Sequence, residues 1–247
     1  GSNNTSFGYM SLQDNTGSSN TAIGRSSLQE NTTGIDNSAV GYMSLRDNTV
    51  GRYNTAVGFS ALRDNTSGER NTAIGLGALL FNDSGCCNTA VGMYAAYCGT
   101  TAYNNTALGY TSLFKVTTGN ENTGVGMCSL RENTTGSGNV AVGYRSLAAS
   151  VSGISNTAIG RCAGCNITTG SCNTFIGAYT EGGSVSDTNA VAIGYNVTTC
   201  GSNTINIGNT SNTKTIFECG TVGIGTTSPT GGKLQVAGKV RIDAGSG

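Results

Sequence analysis

A five-residue pattern that alternates polar and apolar side chains recurs along most of the chain. It reads Asn-Thr-Ala-(Val or Ile)-Gly, and we call its last residue the anchor glycine. Gly24 and Gly194 are anchor glycines ten repeats apart, so the period is 17 residues. Short alternating segments predict β-strands, and strict repetition predicts stacked units. The pattern or a variant begins at Asn20, Asn37, Asn54, Asn71, Asn88, Asn105, Asn122, Asn139, Asn156 and Asn173.

Each repeat carries a second, shorter signal after the anchor glycine. The third and fourth residues are small and then Leu, as in Ser44-Leu45, and a polar pair such as Arg46-Asp47 follows. A turn such as 31–34 (Asn-Thr-Thr-Gly) then closes the repeat. The repeat is too short for a pair of helices, and its leucines are sparser than those of leucine-rich repeats. The sequence therefore predicts an all-β fold, a parallel β-solenoid of about 12 coils, with two short strands per coil and coils about 4.8 Å apart.

The alternation within the strand also predicts which side chains share a face. Thr and Val/Ile point one way, whereas Ala points the other way. We expect the bulkier Val/Ile residues to line the interior with the leucines, in columns such as Val40, Val57 and Ile74. The Ala/Gly face would then form a smooth outer surface. Two large apolar residues per coil make a thin core, so we expect the chain to oligomerise through this small-residue face.

Composition and charge exclude several classes of function. The 247 residues include 13 basic and 13 acidic side chains, and this zero net charge argues against binding of nucleic acid or a membrane surface. The chain has no histidine, which excludes a His-based triad, metal site or pH switch. It has no apolar run long enough to span a bilayer, so we expect no membrane insertion.

The repeat resembles those of a known class of attachment proteins. The Asn-x-x-Ala-Ile-Gly signature is similar to the head repeats of trimeric autotransporter adhesins, and 189–194 (Asn-Ala-Val-Ala-Ile-Gly) is almost that family's own motif. The Asn-Thr-Ala-Val-Gly-Tyr-x-Ser-Leu variant also resembles repeats in tail-fibre and spike proteins of bacteriophages and large viruses. The resemblance covers about residues 3–208 and implies a left-handed parallel β-roll with three chains per fibre. The 17-residue period and the many cysteines depart from the adhesin heads.

The C-terminal part has a different character, so we expect a repeat domain at 1–200 and a C-terminal β segment, or fibre neck, at 201–247. Residues 202–208 and 215–217 alternate with period 2, as strands do. The stretch Val-Gly-Ile-Gly-Thr-Thr-Ser-Pro at 222–229 is similar to the segment that ends many phage fibre shafts. This similarity favours the viral-fibre branch over the bacterial adhesins.

The nine cysteines leave several interpretations open. Cys162-x-x-Cys165 with Cys172 nearby has the spacing of zinc ligands, but the stretch lacks a fourth ligand, so we expect no metal. Disulfides between neighbouring coils fit an exterior protein, and buried small thiols are the alternative. The candidate disulfide partners, with their pairing open, are Cys86, Cys87, Cys98, Cys162, Cys165 and Cys172.

The acidic residues do not form a catalytic constellation. Asp47, Asp64 and Glu132 recur at one corner of successive coils beside arginines, which indicates a solvated edge with local ion pairs. We therefore expect no catalytic residues and no cofactor, and we do not expect an enzyme. The repeated strand threonines, such as Thr55 and Thr72, leave ice binding open if their face is flat and exposed.

Tyrosines provide the candidates for a binding site. The coil after Gly92 departs most from the repeat, because it loses the leucine and gains Tyr94, Tyr97 and Tyr103. These three are the candidate glycan-binding residues, since aromatic rings stack on sugars, and a locally repacked coil is the alternative that we favour. Tyrosines that follow several anchor glycines form either a surface stripe or a layer beneath a turn.

The leading functional hypothesis is a structural and adhesive one. The chain would be a segment of a homotrimeric fibre or spike on a virion or cell surface, attached to host-cell glycans or cell wall by multivalent contact. A passive stalk that carries a binding tip elsewhere is the first alternative, and an ice-binding β-solenoid is the second.

Overall fold

The structure is a computed structural model that describes residues 1–211 and the backbone strands at 222–224 and 234–236. Thirteen three-residue strands form one parallel sheet in chain order, one strand from each coil. No helix occurs in residues 1–211, and thus none there could cross a membrane. The strands are β1 (Thr5–Phe7), β2 (Thr21–Ile23), β3 (Ser38–Val40), β4 (Thr55–Val57), β5 (Thr72–Ile74), β6 (Thr89–Val91), β7 (Thr106–Leu108), β8 (Thr123–Val125), β9 (Val140–Val142), β10 (Thr157–Ile159), β11 (Thr174–Ile176), β12 (Val191–Ile193) and β13 (Ile205–Ile207).

The stacking of like residues confirms the predicted β-solenoid with its 17-residue period. Val40 pairs with Val57, and Val57 pairs with Ile74, in a register that continues through the sheet. The anchor glycines stack so closely that a Cβ on Gly58 would lie 2.6 Å from the carbonyl oxygen of Gly75. Their φ values near +136° also disfavour other residues, which explains why glycine recurs at this position.

The second strand predicted for each coil is absent from the described coils, and turns with left-handed residues take its place. In the coil of β3, Met43, Leu45 and Tyr53 have φ values of 54°, 49° and 61°. Such conformations are costly for residues with a side chain. They persist because their amides bond to adjacent coils: the amide of Leu45 donates to the carbonyl of Ala61 at 3.0 Å, and that of Met43 to Arg25 at 3.0 Å.

The predicted assignment of faces was wrong. Thr and Val/Ile do share one face, but that face points outwards: Ala56 is fully buried, whereas Val57 is 37% exposed. The Ala/Gly face lies inside the coil, opposite the buried leucines, so it is not available for oligomerisation. The interior is too narrow for a second column of branched side chains facing the leucines.

One coil shows how closely the two interior columns depend on each other. Phe175 replaces the usual strand alanine and is fully buried. The position that normally holds leucine in the facing turn is Gly164, where a Cβ would lie 2.7 Å from the Phe175 ring. The large residue and the small residue have exchanged sides, so the enclosed volume stays filled.

Buried asparagines form the strand-side asparagine ladder, made by the asparagine before each strand. Asn54 is typical: its amide donates to Oδ1 of Asn37 at 3.0 Å, and its Nδ2 donates to the carbonyl of Gly68 at 2.8 Å. Each amide side chain thus satisfies backbone groups in the interior. The members are Asn20, Asn37, Asn54, Asn71, Asn88, Asn105, Asn122, Asn139, Asn156 and Asn173.

A second row, the turn-side asparagine ladder, comprises Asn15, Asn31, Asn48, Asn65 and Asn82. The Nδ2 of Asn82 donates to Oδ1 of Asn65 at 2.7 Å and to the carbonyl of Gly85 at 3.1 Å. The next coil has Gly99 at this position, so the ladder stops. The buried Oδ1 of Asn82 has no hydrogen-bond partner among the described residues.

The chain divides into two compact units, Gly1–Asn209 and Thr210–Gly247. The first unit contains all the strands from β1 to β13. The second contains β14 (Val222–Ile224) and β15 (Leu234–Val236), which pair in parallel. Most of the expected fibre neck, including 215–217 and the proline segment, lies outside the described residues.

Exchange of the two residues in the Phe175 coil tests the interior packing. Phe175→Ala should lower the free energy of unfolding by about 3–5 kcal/mol because it leaves a cavity. Gly164→Leu alone should destabilise by overpacking. The double variant recreates the Leu/Ala pair of the other coils and should recover most of the loss, as measured by urea denaturation. Additive losses in the double variant would contradict the proposed packing.

Extension of the turn-side asparagine ladder should stabilise the chain. In Gly99→Asn, the new Nδ2 can donate to Oδ1 of Asn82, and a Cβ at this position has its nearest contact at 3.3 Å. We expect a gain of about 1 kcal/mol in unfolding free energy. Gly99→Ala is the matched control, since it supplies the Cβ without the donor. Equal stability of the two variants would show that the unpaired oxygen carries no cost.

Candidate functional site

The residues from the first to the sixth position after each anchor glycine form one edge of the solenoid, which we call the turn edge. In the early coils this edge carries ion pairs, as the sequence predicted. Arg46 contacts Asp47 at 2.5 Å, and Arg63 contacts Asp64 at 2.5 Å. The pairs are partly exposed, so their contribution to stability is small.

Three successive coils replace this charged pair with other residues. At the fifth and sixth positions they have Leu80-Phe81, Tyr97-Cys98 and Phe114-Lys115. Because equivalent positions of neighbouring coils stack, side chains far apart in sequence meet here. The result is the aromatic cluster, which we define as Phe81, Tyr94, Tyr97, Tyr110 and Phe114.

Tyr97 is the centre of the aromatic cluster. Its ring is stacked on that of Phe114, with centroids 5.2 Å apart and planes 2° apart. It meets the rings of Phe81 and Tyr94 edge-on, at centroid distances of 5.0 and 5.2 Å. These are favourable aromatic geometries, and they fix the orientation of the central ring.

A glycine in the preceding coil makes room for the cluster. Gly77 lies at the second position after its anchor, where Tyr94 lies in the next coil. A Cβ at Gly77 would come within 2.9 Å of the Tyr94 ring and 3.4 Å of the Tyr97 ring. Because Gly77 has no side chain, the Tyr94 ring can pack against the preceding coil.

Four of the five residues of the cluster, all except Phe81, line a groove of about 290 Å³. Its walls include Tyr94, Tyr97, Tyr110 and Phe114, and Arg131 lies at one side. Tyr94, Tyr97 and Phe114 are all half-buried, so their rings are both held in place and accessible. An apolar groove with a few polar groups is typical of a small-ligand site.

The structure brings together two of the three predicted glycan-binding tyrosines. Tyr94 and Tyr97 are neighbours in the groove. Tyr103 is 42% exposed and lies at the turn before β7, where its amide donates to Oδ1 of Asn120 at 2.9 Å. It does not line the groove, because the chain turns a corner between Tyr97 and Tyr103.

Sequence reasoning missed the members contributed by neighbouring coils, namely Phe81, Tyr110, Phe114 and Arg131. A signal for them was present in the repeat itself. Alignment of the coils by their anchor glycines places Phe81, Tyr97 and Phe114 at adjacent positions of successive coils. Their absence from the other coils distinguishes them from a structural stripe.

The tyrosines that directly follow anchor glycines form a surface stripe, which decides between the two arrangements left open. Tyr9 and Tyr195 are 64% and 66% exposed. Arg25 lies between Tyr9 and Tyr42, with its guanidinium carbon 5.6 and 5.9 Å from their ring centroids. These contacts are cation–π interactions on the surface.

The cysteines of the described residues are free thiols. The eight are Cys86, Cys87, Cys98, Cys128, Cys162, Cys165, Cys172 and Cys200. None of the predicted disulfides between neighbouring coils is present among them, since no two adjacent coils carry cysteine at the same position. Cys128 and Cys162 do share a position, but two coil steps put them about 9.6 Å apart, too far for a bond. Cys219 lies outside the described residues.

Burial disfavours ionisation of two of these thiols, Cys98 and Cys165. Burial raises the pKa of Cys165 to about 12, and its hydrogen bond to Glu181, at 3.4 Å, contributes. Burial also raises the pKa of Cys98. Cys172 lies at another corner from Cys162 and Cys165, and within residues 1–211 no group of three Cys, Asp or Glu side chains is placed to hold a metal ion.

The sequence matches no known family model and no curated protein sequence. The geometry of the described residues is therefore the basis for assigning a role.

Proposed function

We propose that the chain is a segment of a homotrimeric fibre or spike that attaches a virion or cell to a host surface by binding glycans. The observation that carries this proposal is the aromatic groove, which interrupts the charged turn edge of a regular stack of coils. The other described coils carry no aromatic side chain at the fifth or sixth position after the anchor glycine, so the repeat does not need these rings for its packing. Three chains would present three grooves, and avidity would compensate for weak single contacts.

The trimer would form through the outward strand residues, which we call the threonine–valine face. Thr72 is half-buried and Ile74 is 40% exposed, and the strands β1 to β13 carry Thr, Ser, Val or Ile at the first position and an apolar residue at the third. The apolar column follows the sheet for roughly 55–60 Å. A continuous apolar stripe of this length is unusual on a monomer and typical of an interface. Because each coil presents the same residues, a second and third copy in parallel would meet it in register, in the left-handed roll that the repeat resemblance implies.

Ice binding is the second candidate, and one observation favours it. The strand threonines lie on an outward face beside Val/Ile, and not in the interior where hydroxyls would bond internally. A regular array of this kind is what ordered water could match. The trimer would bury the same face, so the two uses exclude each other.

The mass in solution tests the trimer. We expect light scattering to give about three times the 24.9 kDa of one chain. Ile74→Lys should dissociate the assembly by placing like charges together, whereas Thr49→Lys, on a turn away from this face, should leave the mass unchanged. A folded monomer would overturn the trimer. If a solution of that monomer froze at a lower temperature than the one at which its ice melts, ice binding would be supported.

Binding of host-surface glycans to the whole chain tests the groove. Tyr97→Ala removes the central ring and should weaken binding at least tenfold. Phe59→Ala is the matched control, because Phe59 stacks on Tyr42 with centroids 5.0 Å apart but lies outside the groove. A folded chain that binds no glycan would contradict the proposed attachment role and leave the passive stalk.

A further inference from the structure

A second cavity lies next to the aromatic groove on the turn edge. Its volume is about 360 Å³, and Arg131 lines both it and the groove. The other principal walls are Glu132, Tyr144, Arg145, Ala148 and Ala149. We call this cavity the cationic pocket.

The pocket exists because one coil lacks the charged pair of the turn edge. Ala148 and Ala149 occupy the positions that hold Arg131 and Glu132 in the preceding coil. The two short side chains leave space where an arginine and an acid would lie. They also remove the carboxylate that would neutralise a neighbouring cation.

The charges around the pocket are unequal. Glu132 contacts both Lys115, at 2.5 Å, and Arg131, at 3.4 Å, so one carboxylate is shared by two cations. Arg145 is exposed and forms no ion pair with any described residue. A second carboxylate, that of Glu181, accepts a hydrogen bond from Cys165 but does not line the pocket. The Cys165 thiol, with its raised pKa, stays neutral and adds no negative charge.

The excess of positive charge belongs to this part of the turn edge. In the coils before the aromatic cluster, the acids on the edge outnumber the arginines. From residue 110 to residue 181 the relation is reversed. The early coils have Asp14, Glu30, Asp47 and Asp64 against Arg25, Arg46 and Arg63, and the later ones have Glu132 and Glu181 against Lys115, Arg131, Arg145 and Arg161.

We propose that the cationic pocket binds the carboxylate or sulfate group of an acidic saccharide, while a neighbouring ring of the same saccharide stacks in the aromatic groove. The inference rests on the proposed glycan-binding function and names its substrate class. Arg131, shared by the two cavities, lies where the stacked ring joins its charged neighbour. Arg145 supplies an unpaired guanidinium, which binds planar anions through parallel hydrogen bonds.

A matched pair of probes tests this inference on the whole chain. Oligogalacturonate carries a carboxylate on each ring, and the corresponding galactose oligosaccharide is its neutral counterpart. We expect the acidic oligosaccharide to bind at least tenfold more tightly. Arg145→Gln should remove most of this preference and leave binding of the neutral probe unchanged. Arg25→Gln, on the same edge outside the pocket, is the control and should preserve the preference.

The outcomes separate this inference from the proposed function. Equal binding of both probes would show that the chain binds glycans but has no acidic subsite. The same conclusion would follow if Arg145→Gln kept the preference for the acidic probe while Tyr97→Ala abolished binding. If neither probe nor any host glycan binds the folded chain, both proposals fail. Equally strong binding of double-stranded DNA would show unspecific attraction to anions and would also overturn the inference.

Discussion

The fold depends on one constraint: each coil must satisfy its buried polar groups with the same groups of the next coil. The strand-side asparagine ladder shows it most clearly, since the Oδ1 of Asn37 accepts the amide of Asn54 one period later. Water cannot reach these atoms, so a shift in register would leave them unpaired, at a cost of about 1–3 kcal/mol each. The 17-residue spacing keeps these groups in register from coil to coil.

The sequence was sufficient for the period, the stacking and the columns, because identical spacing can be recognised without knowing the interior. It was insufficient for the faces. Val57 is more hydrophobic than Ala56, so hydrophobicity alone predicts that the valine is buried. The coil is too narrow for this, because leucine already fills the space that a facing valine would need. The burial of Asn54 could not be read from the sequence, since nothing local distinguishes an exposed amide from one buried in a ladder. Only Tyr94 and Tyr97 of the aromatic cluster were predicted, because Phe81 and Phe114 reach Tyr97 from neighbouring coils and are distant from it in the sequence.

Both cavities arise where the repeat departs from its own pattern. The groove forms because aromatic residues replace the ion pairs, with Gly77 making room, and the pocket forms because Ala148 and Ala149 replace bulky charged residues. The change at Ala148 and Ala149 leaves the buried Leu147 in place, whereas the coil of Tyr97 has Ala96 at the interior position where other coils have leucine. A regular scaffold can thus carry local cavities at its outward positions while the neighbouring coils stay stacked.

The left-handed turn residues have a mechanical consequence. Leu45 and its equivalents hold conformations that an isolated coil would abandon, so each coil persists only while a neighbour supplies its hydrogen bonds. Loss of structure should consequently start at the exposed ends of a stack and progress coil by coil towards the centre. The groove and the pocket are built between residues 77 and 165, with further coils of the unit Gly1–Asn209 stacked on both sides. Both cavities should therefore persist until those flanking coils have opened.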